Sequence, residues 1–87
     1  MKADKVKITK LLKTARGQID GLLKMVEEDR YCIDISNQLL ATGAIIKKVN
    51  HDVIQAHLGE CVKDAFEKGN EEEKIEEIIK LLDKLSK

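Results

Sequence analysis

Three residues in this sequence have the side chains and spacing to hold a soft metal ion: Cys32 in "DRYCIDI", and His57 and Cys61 in "HLGEC". They are both of the cysteines and one of the two histidines in the chain. On a continuous helix turning about 100° per residue, His57 falls roughly 20° to one side of Cys32 and Cys61 roughly 20° to the other. All three share one face, at the shoulder of an apolar stripe. His57 and Cys61, one turn apart, can grip the same ion. Cys32 cannot join them, because a rise of about 1.5 Å per residue puts the two cysteines roughly 43 Å apart. An antiparallel copy of the same helix would bring Cys32 of one chain beside His57 and Cys61 of the other, and two-fold symmetry would make two equal sites. Two thiolates and an imidazole form a soft three-coordinate set, which suits Cu(I). Structural Zn(II) takes four ligands, and the fourth here would have to be water or a carboxylate such as Glu60. Two core cysteines and a satisfied core histidine are the plainer alternative; the shared face favours a site. His51 lies well off that face and reads as a solvated histidine.

The elements that must position these residues are helices throughout. Ile8, Ala15 and Leu22 alternate with Leu12, Ile19 and Val26 at three- and four-residue spacing over nearly three heptads. Lys2, Lys5, Lys10, Lys13, Arg16 and Lys24 gather on a different face of this first helix. "EEDRY" interrupts the pattern, and Asp29 is the expected N-cap of a second helix. That helix carries Ile35, Leu39, Ile46, Val49 and Val53 on one stripe and is expected to run to about Phe66. Gly43 and Gly59 weaken it by roughly 1 kcal/mol each against Ala, and no proline stops it. Gly69 is the expected C-cap and Asn70 the next N-cap, with acidic residues in the new first turn. A third helix aligns Ile75, Ile78, Ile79, Leu82 and Leu85.

Composition bounds the function. Eighty-seven residues make a single domain, 1–87, near the lower limit for a self-sufficient core, and its only aromatics are Tyr31 and Phe66. All-α domains of this size need dense packing, a staple or a partner. No apolar signal segment is present and no run approaches the roughly 18 apolar residues that span a membrane. A reduced, cytoplasmic protein is expected, with its cysteines as ligands or sensors rather than a staple. The net charge of zero hides a gradient: residues 1–24 hold seven Lys/Arg against two Asp/Glu, and residues 60–83 four against nine. The basic N-terminal surface suits a polyanion. No acid/base pair or nucleophile triad stands out, so an enzyme is not expected.

The stretch "GQIDGLLKMVEEDRYCIDISNQLL…HLGECV" resembles the copper-sensing operon repressors, the CsoR family of small all-helical bacterial regulators. The likeness covers nearly the whole chain, and its strongest signature is matched by Cys32, His57 and Cys61. Relatives that sense nickel, cobalt or formaldehyde keep the first cysteine and differ later; persulfide-sensing relatives keep both cysteines and lack the histidine. The resemblance therefore implies Cu(I). It also implies that Tyr31 and Glu77 stand behind the metal ligands, and that Lys13, Arg16 and Lys48 lie on the DNA-binding surface. The match is imperfect there: Thr14 and Leu11 occupy positions that are commonly arginine in the family, and Asp20 one that is often basic.

The implied fold is a three-helix protomer whose long helices 1 and 2 form an antiparallel four-helix bundle in a homodimer, with dimers pairing into a homotetramer. The expected function is a Cu(I)-responsive transcriptional repressor that holds operator DNA in the apo form and leaves it when Cu(I) binds. The alternative is a persulfide or thiol-redox sensor using Cys32 and Cys61, since a thiol near a helix N-terminus is in the setting that favours thiolate.

Overall fold

A computed structural model of the chain describes residues 1–85, which form three helices, the two turns between them and a short stretch before the first; the last two residues of the expected domain lie outside it. The first helix, α1, spans Lys5–Glu27. It starts where Asp4 caps it: Asp4 Oδ1 accepts the backbone N–H of Val6 at 3.0 Å and of Lys7 at 3.2 Å. The second, α2, runs unbroken over Cys32–Lys68, through Gly43 and Gly59 and two residues past the expected Phe66. The third, α3, spans Glu71–Leu85, with Glu71, Glu72 and Glu73 at its positive end.

Both interhelical turns are closed by a left-handed residue. At the end of α2 it is Gly69, at φ 75°, as its sequence position suggests. At the end of α1 it is Asp29, at φ 51°. The N–H of Arg30 reaches the carbonyl of Met25 at 3.0 Å and that of Asp29 the carbonyl of Val26 at 3.1 Å, which satisfies two of the last carbonyls of α1. Asp29 thus terminates α1 instead of capping α2. Tyr31 takes the N-cap place of α2 with no side-chain hydrogen bond. Asn70 does precede α3 and its carbonyl accepts the Lys74 N–H, but its Oδ1 makes no hydrogen bond.

The helices α1 and α2 are antiparallel. Lys7 pairs with Asp52, while Gln18 meets Gln38 and Thr42, so position rises along one helix as it falls along the other. Ile8, Ala15 and Leu22 of α1 and Val49 of α2 are the buried apolar residues of this seam. A polar contact sits in the middle of it: Thr42, buried, donates to Gln18 Oε1 at 2.7 Å, and Gln38 Nε2 donates to the same oxygen at 3.2 Å. A directional bond inside an apolar seam fixes register, since a one-turn slip would strand these polar groups without partners. In turn, α3 folds back on α2, and among the described residues its backbone does not approach that of α1.

The result is a slab, 58 × 28 × 13 Å. Only half of the expected α1 seam is buried: Leu12, Ile19 and Val26 are 48%, 44% and 59% exposed, as are Leu39 and Ile46 of α2 at 55% and 48%. Among the described residues no side chain is fully buried. On a rotation of about 100° per residue, these exposed apolar side chains fall on one broad side of the α1–α2 pair, and Lys7, Lys10, Lys48 and Asp52 on the other. One pair of helices thus presents two opposite surfaces of different chemistry.

The left-handed turn at Asp29 gives a direct test. Asp29→Gly should keep or raise the melting temperature, and Asp29→Val should cost about 1–2 kcal/mol in thermal unfolding, because a β-branched side chain opposes positive φ.

Candidate metal centre

His57 and Cys61 stand one turn apart on α2, and their side chains meet: Cys61 Sγ lies 3.3 Å from His57 Nε2. From α3, Glu77 Oε1 comes to 3.4 Å from the same ring nitrogen. Nε2, Sγ and a Glu77 oxygen all lie within 4.8 Å of one another. The antiparallel return of α3 through the Gly69 turn places Glu77 there. His57 and Glu77 border a cleft of about 400 Å³ that Val53, Ile54 and Leu81 also line. His57 is about half exposed, so neither it nor the partly exposed Cys61 is a core residue.

The electrostatics are set by Lys74, one turn before Glu77 on α3. Its Nζ donates to Glu77 Oε2 at 3.2 Å. That bond, with a further contribution from His57, holds the Glu77 carboxyl below its ordinary 4.5. The same bond, the Glu77 charge and the charge of a Cys61 thiolate hold Lys74 above its ordinary range. Nε2 is the ring nitrogen that faces both Cys61 and Glu77, so the tautomer decides whether it donates a proton to Glu77 or offers a lone pair beside the sulfur.

Of the residues expected at the site, one chain brings together His57, Cys61 and Glu77. It does not bring Cys32 or Tyr31. Cys32 is the first residue of α2, exposed, at the far end of the helix, and Tyr31 before it is 68% exposed. Glu60, considered as a fourth ligand, is exposed and outside the cluster; Glu77 is the carboxylate that arrives. His51 faces Asp52, with Nδ1 3.5 Å from Oδ1, away from the site. Lys13 and Arg16 are exposed on α1, and Lys48 is exposed on α2 with Asp52 3.7 Å away. Lys74 is the site residue that motif and spacing do not single out. Its one signal in the sequence is an i,i+3 spacing to Glu77 on the same helix face.

Residues 4–84 match the family of metal-sensitive transcriptional repressors. The copper-sensing transcriptional repressor CsoR of Bacillus subtilis is 39% identical over 84 residues, 97% of this chain and 83% of that protein. CsoR of Mycobacterium ulcerans is 38% identical over 68 residues, 78% of this chain but only 58% of its own length. Among solved structures, the Cu(I)-bound repressor CsoR from Geobacillus thermodenitrificans superposes with a TM-score of 0.82 at 36% identity, over 93% of this chain and 84% of that one. The nickel-responsive transcriptional regulator InrS superposes with a TM-score of 0.86 at 27% identity, over 98% and 96%. A three-helix slab with a sulfur–imidazole pair on its long helix is thus the fold of a metal-sensitive regulator. The chain belongs to the metal-sensitive transcriptional repressor family, whose members are regulators and not enzymes. No helix among the described residues is long and apolar enough to cross a membrane.

The Lys74–Glu77 pair generates a prediction with a definite sign. A depressed carboxyl pKa contributes stability above its unfolded value, and that contribution is lost as pH falls through the folded value. Lys74→Ala should move the Glu77 midpoint, followed by carboxyl NMR, upward toward 4.5. An unmoved midpoint would show that Lys74 does not set the charge of Glu77.

Proposed function

We propose that this chain is a Cu(I)-responsive transcriptional repressor: without metal it holds operator DNA, and Cu(I) favours a state that binds DNA less well. The observation that carries this reading is the meeting of His57, Cys61 and Glu77 at one end of a helix that starts with Cys32 at the other. The ligands are Cys32 from one copy with His57 and Cys61 from an antiparallel second copy, and Tyr31 arrives with that Cys32. Two sulfurs and one imidazole nitrogen fit Cu(I). A square-planar ion such as Ni(II) wants a fourth donor, and among the described residues the carboxylate that reaches His57 and Cys61 is Glu77, whose oxygens already face Lys74 and His57. When bound, Cu(I) supplies a soft cation that ties two copies together through thiolates and imidazole. The likeness to two copper-sensing repressors supports the same choice.

The remaining steps belong to the chain's own residues. His57 donates Nε2–H to Glu77, which fixes the ring's orientation and tautomer, as the free N–H of a metal-bound histidine almost always does through some partner. Because Glu77 sits on α3, any change in the ring is passed from α2 to α3. The apolar side of the α1–α2 pair, with Leu12, Ile19, Val26, Leu39 and Ile46, buries itself against the second copy in an antiparallel four-helix bundle, and dimers pair further into tetramers. Lys13, Arg16 and Lys48 contact operator phosphates from the exposed sides of α1 and α2, and the protein works in the cytoplasm. A persulfide bridge between Cys32 and Cys61 would leave unexplained why an imidazole touches Cys61 and a carboxylate orients it.

Two outcomes are expected. Sedimentation at micromolar concentration should show no 9.8 kDa species; a stable monomer would sink the shared site. In DNA affinity measured with and without saturating Cu(I), the wild type should lose affinity by an amount worth roughly 1–3 kcal/mol. His57→Ala should still bind Cu(I) through two thiolates, less tightly, and fail to release DNA. Glu77→Ala should keep most of its Cu(I) affinity and lose part of the release. Full release by His57→Ala would favour the thiol sensor.

A further inference from the structure

The side of the α1–α2 pair opposite the metal ligands carries a cluster that the proposed function leaves unused. Asp52 of α2 has a side chain only 18% exposed, set under three cationic or potentially cationic groups. Lys7 of α1 places Nζ 3.6 Å from Oδ2, Lys48 places Nζ 3.7 Å from the same oxygen, and His51 Nδ1 lies 3.5 Å from Oδ1. Oδ2 is out of contact with solvent and makes no hydrogen bond. At 3.6 and 3.7 Å the two lysines are held chiefly by charge. Their side chains remain 56% and 54% exposed, with ammonium donors free to turn outward. Burial works against the charge on Asp52, but the His51 contact and the two lysine charges outweigh it and keep the carboxyl below its ordinary range. A carboxylate fixed as an anion beneath two exposed ammonium groups neutralises part of a basic surface from within.

We propose that Asp52 is a built-in counter-ion that draws Lys7 of α1 and Lys48 of α2 to one point and weakens the hold of this surface on the phosphates of duplex DNA. The inference rests on the proposed DNA-binding role of Lys48 and adds Lys7 to the same surface. The chemistry is competition: a phosphate oxygen approaching from solvent and the Asp52 carboxylate approach the same two ammonium groups from opposite sides. Every operator contact made there is weakened by the charge left behind it. A repressor that must let go of DNA has a use for a surface that does not grip at full strength. Because α1 and α2 each contribute one lysine, Asp52 also makes the strength of this surface depend on the α1–α2 register that Gln18, Gln38 and Thr42 set.

The test follows the anisotropy of a labelled mixed-sequence DNA duplex over a series of KCl concentrations, with full-length protein. Asp52→Asn, which keeps shape and removes charge, should tighten binding roughly three- to tenfold and steepen the slope of log K against log salt by about one. In a Lys7→Ala/Lys48→Ala background the same change should give no gain. Asp64→Asn, an equal loss of charge farther along α2, is the control for net charge. Unchanged or weaker binding by Asp52→Asn at an unchanged melting temperature overturns the proposal, as does an equal gain from Asp64→Asn. If Lys7→Ala and Lys48→Ala themselves cost no affinity, the DNA surface lies elsewhere and both readings fall. If those two weaken binding and Asp52→Asn is silent, only the counter-ion is wrong.

Discussion

A helix of 37 residues without a break is a rigid rod, and this one carries one cysteine at its first residue and the other roughly 43 Å further on. No rotamer change or local fraying brings Cys32 to Cys61 within a chain. The same rod prevents an internal disulfide and leaves Cys32 able to join His57 and Cys61 only from a second copy, as the proposed function requires. Continuity through Gly43 and Gly59 is what enforces this. In a helix interrupted at either glycine, the site could close within a single protomer.

The rod also divides the surface. On one side stand the exposed apolar residues of α1 and α2 and, a little further round the helix, His57 and Cys61. On the other side stand Lys7, Lys48 and Asp52. A 13 Å slab has no room for a core sealed on both sides, which is why Leu12 and Ile19 remain in solvent beside an otherwise well-formed seam. In the proposed function, burying them against a second copy and completing the ligand set are met by the same antiparallel pairing. The proposed metal site and the proposed polyanion surface thus lie on opposite sides of one element, and α2 is common to both. Glu77, held by Lys74 and facing His57, extends that link to α3.

Much of this is legible in the residues. The three-helix order, the Gly69 stop and the shared face of Cys32, His57 and Cys61 all come from glycine capping and helical periodicity. The matched family and the shared fold agree with the resemblance seen in the metal-binding motif. Other features are hidden for specific reasons. Asp29 resembles an N-cap because Asp favours that place, but Asp also tolerates left-handed backbone, and the closure of α1 takes precedence. The heptad pattern of α1 marks six seam residues without saying which three face α2 and which three stay exposed. Gln18 stands in that pattern as a polar residue among apolar ones, a sign of its contact with Thr42 that periodicity alone passes over. Asp52 lies four residues after Lys48, an ordinary helix pair; its third partner, Lys7, is visible only once α1 has folded back.

The division of the site between two copies is tested most directly by mixing two variants, each lacking one thiol. Cys32→Ala protein and Cys61→Ala protein, combined and allowed to exchange subunits, are titrated anaerobically with Cu(I) against a competing chelator. A divided site predicts that neither variant alone binds tightly and that the mixed dimer recovers one tight site, with Cys32 from one chain and His57 and Cys61 from the other. Failure to recover a tight site in a verified mixed dimer, or wild-type affinity in Cys32→Ala alone, would contradict it.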